Sequence, residues 1–386
     1  MLIASLRARL RGLGMFRPRT VARLVKTGEE NRRELRDLVR AVKLLQDHVA
    51  AMKAGHEQVL KRLQTQQTES FESASRHGAA LAEDVRALTQ ALNAVSLRER
   101  QLRAIARADA ELHASERELD TILQPSAVAS HVRSAIRSAT LHDDPFPYVV
   151  IDNLLPDTCY DALIRGLPPV DLFADRPVNK QQLKVPFDVA PSYSRRVWAF
   201  MADVVAAEMI APAIAEKFDA QTTAWLRLNF PAIGDDPLRA IPLTCSDGRI
   251  LLRRPGYHIP PHRDPKWGFL TCLLYLARPG DDERWGTDLH RVDEDEEAQG
   301  AKPHWIDEQR CHIVERVAFR RNRALIFLNS TGAHSARIPP DAQPADLERY
   351  AYQFRIGAGS GTIHTLLGHL PPERRSLWEG KVALNY

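Results

Sequence analysis

The chain has 386 residues, enough for two or three domains, and its 44% hydrophobic and 26% charged residues are those of a folded protein, not a disordered one. A formal net charge of +4 supplies no global basic field, so nucleic acid is not expected as a partner. The four cysteines, Cys159, Cys245, Cys272 and Cys311, are scattered without a Cys-x-x-Cys pair, which argues against a zinc ribbon or a disulfide framework and fits a cytoplasmic protein.

Residues 1–28 hold Arg7, Arg9, Arg11, Arg17, Arg19, Arg23 and Lys26 with no acidic residue, interleaved with Leu2, Leu6, Leu10, Leu13 and Phe16. Arginines interrupt every apolar run, so there is no signal-peptide core, and no stretch approaches the roughly 20 apolar residues of a membrane span. Two readings stand: a basic amphipathic helix resting on an anionic inner membrane surface, or a solvated basic leader.

From residue 29 to 123 proline is absent, and Glu, Arg, Gln and Ala, all good helix formers, dominate. Leu35, Leu38, Val42, Leu45, Val49 and Met52 recur at heptad spacing, and a second seam runs through Leu81, Val85, Leu88, Leu92 and Val95. Such a stripe would face water on a lone helix, so a coiled coil that makes the protein a homo-oligomer is expected, parallel or antiparallel. Leu119 to Leu141 reads as a further short helix and connector, the connector taken as residues 124–144, which Asp143-Asp144-Pro145 breaks. The remainder, residues 145–386, reads as one globular domain.

In that domain a strand at Tyr148 to Ile151 precedes a helix from about Pro156 to Gly166, and a second helix follows from about Ser194 to Phe218. Short β-like segments come next: Trp225 to Phe230, Ile250 to Arg253, Phe269 to Leu276, Cys311 to Phe319, Ala324 to Leu328 and Tyr350 to Ile356. Short strands separated by turn signals predict a sandwich or jelly roll with flanking helices. The polar, acidic stretch 279–310 is expected to be a solvated loop, with a lid over the site as the rival reading.

The chemistry concentrates in Ile250 to Leu276, ILLRRPGYHIPPHRDPKWGFLTCLLYL. In an extended segment residues i and i+2 point the same way, so His262 and Asp264 can turn an imidazole and a carboxylate toward one ion. A third ligand is needed. In Arg323 to Ile338, RALIFLNSTGAHSARI, an apolar strand runs into a Ser/Thr/Gly turn and delivers His334. Two His and one carboxylate form the facial triad of non-heme Fe(II) oxygenases. His258, His290, His304 and His312 are rival ligands, but none follows an apolar strand and a small-residue turn.

These motifs, together with PFPYVVIDNLLP at Pro145 to Pro156, WGTDL at Trp285 to Leu289 and RYAYQFRI at Arg349 to Ile356, resemble the 2-oxoglutarate and Fe(II)-dependent oxygenases, most closely their prolyl-hydroxylase-like branch. The resemblance spans roughly Pro145 to Gly359. It implies an α+β fold with a double-stranded β-helix (jelly-roll) catalytic domain, preceded here by the long helical coiled coil. It implies Fe(II) bound by His262, Asp264 and His334, with 2-oxoglutarate as cosubstrate and O2 as oxidant. The reaction implied is hydroxylation of an unactivated C–H, since the family's halogenases lack the carboxylate that Asp264 supplies.

The cosubstrate's distal carboxylate is expected to meet Arg349, with Tyr275 beside it and Thr271 on the same strand face. Arg349 follows His334 by fifteen residues, more than in close relatives, so Arg337 and Arg355 stay open as alternatives. Tyr257, Lys266 and Trp267 flank the metal turn and are candidates for substrate contact. The acceptor is a prolyl residue in a protein, a small molecule or a glycan unit. Two other readings remain: a coiled-coil interaction protein with a non-catalytic cupin-like barrel, and a cupin holding another metal such as Zn or Mn.

Overall fold

The computed structural model describes residues 18–65, 71–173, 177, 181–234, 236–295 and 304–378. It divides into two compact units, residues 1–99 and 100–386. The basic leader through residue 17, on which the membrane-surface expectation rests, lies outside the described residues, as do residues 296–303 of the acidic stretch.

The first unit is helical, built from Pro18–Thr65 and the greater part of Phe71–Leu112. Leu35, Leu45 and Met52 of the first seam and Val85 and Leu92 of the second are between 43% and 51% exposed.

The second unit combines helices with two antiparallel sheets. Its strands are β1 (Leu141–His142), β2 (Tyr148–Ile151), β3 (Gln182–Lys184), β4 (Leu243–Arg253), β5 (His258–Arg263) and β6 (Leu270–Tyr275). They continue with β7 (Thr287–Val292), β8 (His304–Trp305), β9 (Cys311–Val317), β10 (Ala324–Leu328), β11 (Ala333–Arg337) and β12 (Arg349–Ala358). One sheet has the order β1-β2-β10-β6-β12-β4-β3 and the other β8-β5-β11-β7-β9.

Strand alternation sorts the side chains of the larger sheet into two sets. Leu270, Cys272 and Leu274 of β6, Ile326 of β10, Tyr352 and Phe354 of β12 and Ile250 and Leu252 of β4 belong to the large core shared with the helices. The other face of β6 and β10, through Leu273, Tyr275, Leu325 and Phe327, joins Leu289 of β7 and Val317 of β9 in a second core. That same face of β4 and β12 carries Arg249, Leu251, Arg253, Arg349, Ala351, Gln353 and Arg355 into a cavity.

Four features differ from the sequence reading. Trp225 to Phe230 is not a strand; it ends the helix Asp219–Asn229, whose Thr222, Trp225, Leu226 and Asn229 are buried at helical spacing. A strand, β7, lies in the stretch read as a loop and is paired on both sides, with β11 and β9. The short helix expected beside the connector is Pro125–Ser138, but its Val128, Val132 and Ile136 enter the large core, so the segment is part of the second unit's core and not a linker to it. Finally, the helical stretch Ser192–Lys217 is long and apolar enough to cross a membrane by length and composition. Its Tyr193, Val197, Trp198, Met201, Val205 and Ile214 are fully buried, and Trp198 packs on Tyr352 of β12 at 5.4 Å, so it serves as a core helix.

Candidate metal centre and cavity

His262 and His334 face each other in the β5/β11 register. Asp264 sits one residue beyond the end of β5, and the donor atoms of His262, Asp264 and His334 all lie within 4.8 Å of one another. All three residues are buried. His262 Nδ1 lies 2.9 Å from the Pro260 carbonyl, which can only accept, so this nitrogen carries the proton and Nε2 keeps its lone pair for a ligand role. Nε2 is 3.8 Å from Asp264 Oδ1.

The carboxylate is held from behind. Thr271 donates to Asp264 Oδ2 at 2.7 Å, and Asn329 Nδ2 donates to the Thr271 hydroxyl at 3.0 Å. An Arg355 Nη2 lies 3.4 Å from Asp264 Oδ1. Burial alone would push the Asp264 carboxyl up, but Arg355, His334, His262 and the Thr271 hydrogen bond together hold it well below the usual carboxylate range. Burial, reinforced by His262, pushes His334 down to about 3. An anionic carboxylate and a neutral His334 are the forms a metal requires.

The turn before His334 is fixed from the metal strand itself. Arg263, between the two ligands, donates from Nε to the Gly332 carbonyl at 2.7 Å and pairs with Asp295, which accepts from the Gly332 N–H at 2.6 Å. Gly332 has φ +66°, a left-handed conformation that suits glycine at this position. One side chain therefore couples the His-x-Asp segment to the turn that delivers the third ligand.

The cavity beside these residues has a volume of about 690 Å³. Arg349 lines it and is 5% exposed. Its guanidinium lies over Tyr275 at 5.4 Å and Phe319 at 4.9 Å and donates to the Gly286 carbonyl at 3.4 Å. Its Nε has no hydrogen-bond partner among the described residues, and burial lowers its proton affinity. Tyr275 is behind the cavity wall, its hydroxyl donating to Thr287 at 2.8 Å, and it is Thr287 that reaches the cavity. Thr271 is likewise outside the lining, engaged with Asp264.

The alternatives are distributed elsewhere. Arg337 is exposed on β11, whereas Arg355 lines the cavity on Asp264. His258 is exposed 3.6 Å from Glu308, His312 pairs with Asp293 at 2.7 Å, and His304 is exposed on β8. His290 is buried, with Nε2 2.8 Å from Ser335 Oγ. Tyr257 lines the cavity, whereas Lys266 reaches Asn229 at 3.1 Å and Trp267 packs on Trp378 at 4.9 Å, both in the interior. Thr287, Arg253 and Trp305 line the cavity without having been singled out from the sequence. For Thr287 a signal was present, in the WGTDL turn.

Buried His/Asp/His donors at the edge of a cavity that also holds a buried arginine define a site suited to a divalent metal and an anion. No protein-family model and no curated protein matches the chain. Solved structures are similar at low identity. A prolyl 4-hydroxylase from Phytophthora capsici is 12% identical, with 65% of this chain and 76% of that chain covered at a TM-score of 0.34. A Pseudomonas putida prolyl-4-hydroxylase is 15% identical over 59% of this chain and 100% of that chain, with a TM-score of 0.29. The non-heme alpha-ketoglutarate-dependent carbocyclase SnoK from nogalamycin biosynthesis is 16% identical over 67% and 96%, at 0.31. The functional reading rests on the site's own geometry.

Proposed function

We propose that the second unit is a double-stranded β-helix dioxygenase that uses Fe(II), 2-oxoglutarate and O2 to hydroxylate an unactivated C–H bond. The observation that carries this reading is a buried His262/Asp264/His334 donor set opening on the same cavity as a buried Arg349 with no acidic partner among the described residues. Two imidazoles and one carboxylate suit Fe(II) and leave positions for other ligands. Bound there, iron would supply the oxidation that couples decarboxylation of 2-oxoglutarate to succinate with hydroxylation.

The chain's own residues prepare that chemistry. The Nδ1 proton given to Pro260 fixes the His262 tautomer, and Thr271 and Arg355 orient Asp264. Arg349, whose planar fork matches a carboxylate, and the neighbouring Thr287 are the groups for the distal end of 2-oxoglutarate. Leu251, Leu273 and Ala351 give the intervening space an apolar wall. A prolyl residue, a small molecule or a glycan unit remains the candidate acceptor. The test is succinate formation from 2-oxoglutarate by purified protein loaded anaerobically with Fe(II) and then given O2. Iron-loaded protein that forms no succinate overturns the reading.

The helical first unit is proposed to self-associate as a coiled coil, supported by its two heptad seams and their exposed Leu, Val and Met side chains. A cytoplasmic protein with a basic leader resting on the inner membrane surface is the corresponding proposal for its location, supported by the arginine-rich, acid-free composition of residues 1–28.

A further inference from the structure

Arg253 and Arg349 are direct register partners on the adjacent strands β4 and β12. Both line the cavity, and they are 6% and 5% exposed. Like charges opposite one another across a sheet are destabilising, and buried charges call for a counter-charge. Yet among the described residues Arg253 Nη1 donates only to the carbonyls of Gln181 at 2.7 Å and Leu252 at 3.0 Å, while its guanidinium lies over the Tyr257 ring at 4.7 Å. The Nε of each arginine is buried without a hydrogen-bond partner among the described residues. After burial, repulsion from Arg253 is one of the effects that lower the proton affinity of Arg349.

We propose that Arg253 binds an oxyanion on the primary substrate, so that the acceptor is a small molecule or glycan unit bearing a carboxylate or phosphate, not a neutral prolyl side chain. This rests on the dioxygenase reading, in which Arg349 takes the distal carboxylate of 2-oxoglutarate. With a divalent metal, the Asp264 anion and a dianionic cosubstrate in place, Arg355 and Arg349 already more than balance the negative charge. The metal and these two arginines exceed Asp264 and the cosubstrate by one positive charge, Arg253 raises the excess to two, and Arg249 lines the same cavity, so an anionic acceptor offsets surplus positive charge in a buried wall. There is room for it. The cavity volume of about 690 Å³ falls in the range of about 300–1,000 Å³ that encloses a drug-sized ligand, and a five-carbon diacid fills only a fraction of that. Trp305 offers the rest of such a molecule a flat apolar surface, since it lines the cavity, is 59% exposed and lies 5.1 Å from the His262 ring.

The experiment is anaerobic calorimetric titration of inorganic phosphate, and separately acetate, into full-length protein holding Fe(II) and saturating 2-oxoglutarate. At least one anion is expected to bind, and the tighter of the two identifies the group. Arg253→Gln should weaken that binding tenfold or more while changing 2-oxoglutarate affinity less than threefold; Arg349→Gln should do the reverse. Should Arg253→Gln fail to fold, Arg253→Lys, which keeps the charge but loses the planar fork, should still weaken anion binding at least threefold with unchanged 2-oxoglutarate affinity. An Arg253 variant that loses 2-oxoglutarate as severely as Arg349→Gln assigns both arginines to the cosubstrate and overturns the proposal. So does the absence of anion binding, or binding equally tight in wild type and variant. If wild type fails to bind 2-oxoglutarate at all, the dioxygenase reading falls separately. The same phosphate titration on metal-free wild type and Arg253→Gln then decides the role of Arg253 by itself.

Discussion

His262 and His334, far apart in sequence, meet as direct partners across β5 and β11 with ring centroids 4.2 Å apart. Two buried imidazoles this close to the Asp264 carboxylate gain most from a cation they can share. His262→Ala, Asp264→Ala and His334→Ala should each lose stoichiometric iron after dialysis while keeping the wild-type circular dichroism spectrum. The exposed His304 and His312 serve as controls, and alanine at either should leave metal content unchanged. An empty site in His312→Ala together with a full one in His334→Ala would reassign the third ligand.

Thr271 separates two roles that its strand face alone left joined. The sequence reading put it with the cosubstrate residues, whereas its hydroxyl donates to Asp264 at 2.7 Å. Removing a hydrogen bond that orients a metal ligand commonly costs about 10–100-fold in metal affinity. Thr271→Val should therefore weaken iron binding by about that factor and leave the KM for 2-oxoglutarate, measured at saturating iron, close to wild type. The opposite pattern would return Thr271 to the cosubstrate.

How much of this was legible in the chain depends on which physical rule each residue obeys. His262, Asp264 and His334 could be read because extended-strand parity and a strand-turn-His pattern are local properties of a few residues. Arg349 could be proposed but not separated from Arg355, because both fall on one strand face and only the fold reveals that Arg355 is engaged by Asp264. Strand β7 was missed because TDLHRV looks polar; His290 is buried there with its Nε2 2.8 Å from Ser335 Oγ, a partner contributed by another strand. Trp225 to Phe230 was misread because six residues of W-L-R-L-N-F fit both a period of two and a helical spacing. The register that sets Arg253 beside Arg349 is a long-range property and leaves no local mark.

Acid stability provides a test of the site's electrostatics without metal. His334 is pushed by burial from its ordinary 6.5 to about 3 in the folded protein. Between those values the unfolded chain holds a proton that the native protein lacks, so this residue makes stability fall as pH drops from about 6.5 toward about 3. Each proton taken up contributes a slope of about 1.4 kcal/mol per pH unit within that window. Asp264, held low in the folded state, adds to the loss only as pH falls below its ordinary carboxylate value. Urea midpoints of the metal-free protein at pH 7, 5.5 and 4.5 should decline, and His334→Gln should flatten the decline. An unchanged slope in that variant would place the proton uptake elsewhere.

The exposed heptad positions predict a change of mass. Leu45→Glu with Met52→Glu puts charge into a seam whose members are 44% and 43% exposed in the single chain. If that seam is the contact between copies, light scattering should show a smaller assembly, with iron content per chain unaltered. A truncated chain beginning at Arg100, where the second unit starts, should behave the same way. Beginning at Leu141 instead would remove Val128, Val132 and Ile136 from the core and should cost stability. A double variant with the full wild-type mass would show that the seam is not the contact.

The grip on the cosubstrate is the most demanding test, because three arginines competed for it and the fold gives each a different setting. Arg349 is buried in the cavity wall over Tyr275 and Phe319, Arg355 lies 3.4 Å from Asp264, and Arg337 is exposed. If Arg349 pairs with the distal carboxylate, Arg349→Ala strands a buried anion, a loss that commonly costs about 2–5 kcal/mol. Since about 1.4 kcal/mol is a factor of ten, the KM for 2-oxoglutarate should rise at least tenfold. Iron affinity should change little, because Arg349 is not a ligand. Arg355→Ala should appear first in iron binding, through Asp264, and Arg337→Ala should resemble wild type. Tyr275→Phe removes a hydroxyl that bonds Thr287 and should give only a small shift in the same direction as Arg349→Ala. Measured at matched iron loading, a large cosubstrate defect in Arg355→Ala or Arg337→Ala beside a near-normal Arg349→Ala would move the carboxylate to a different arginine.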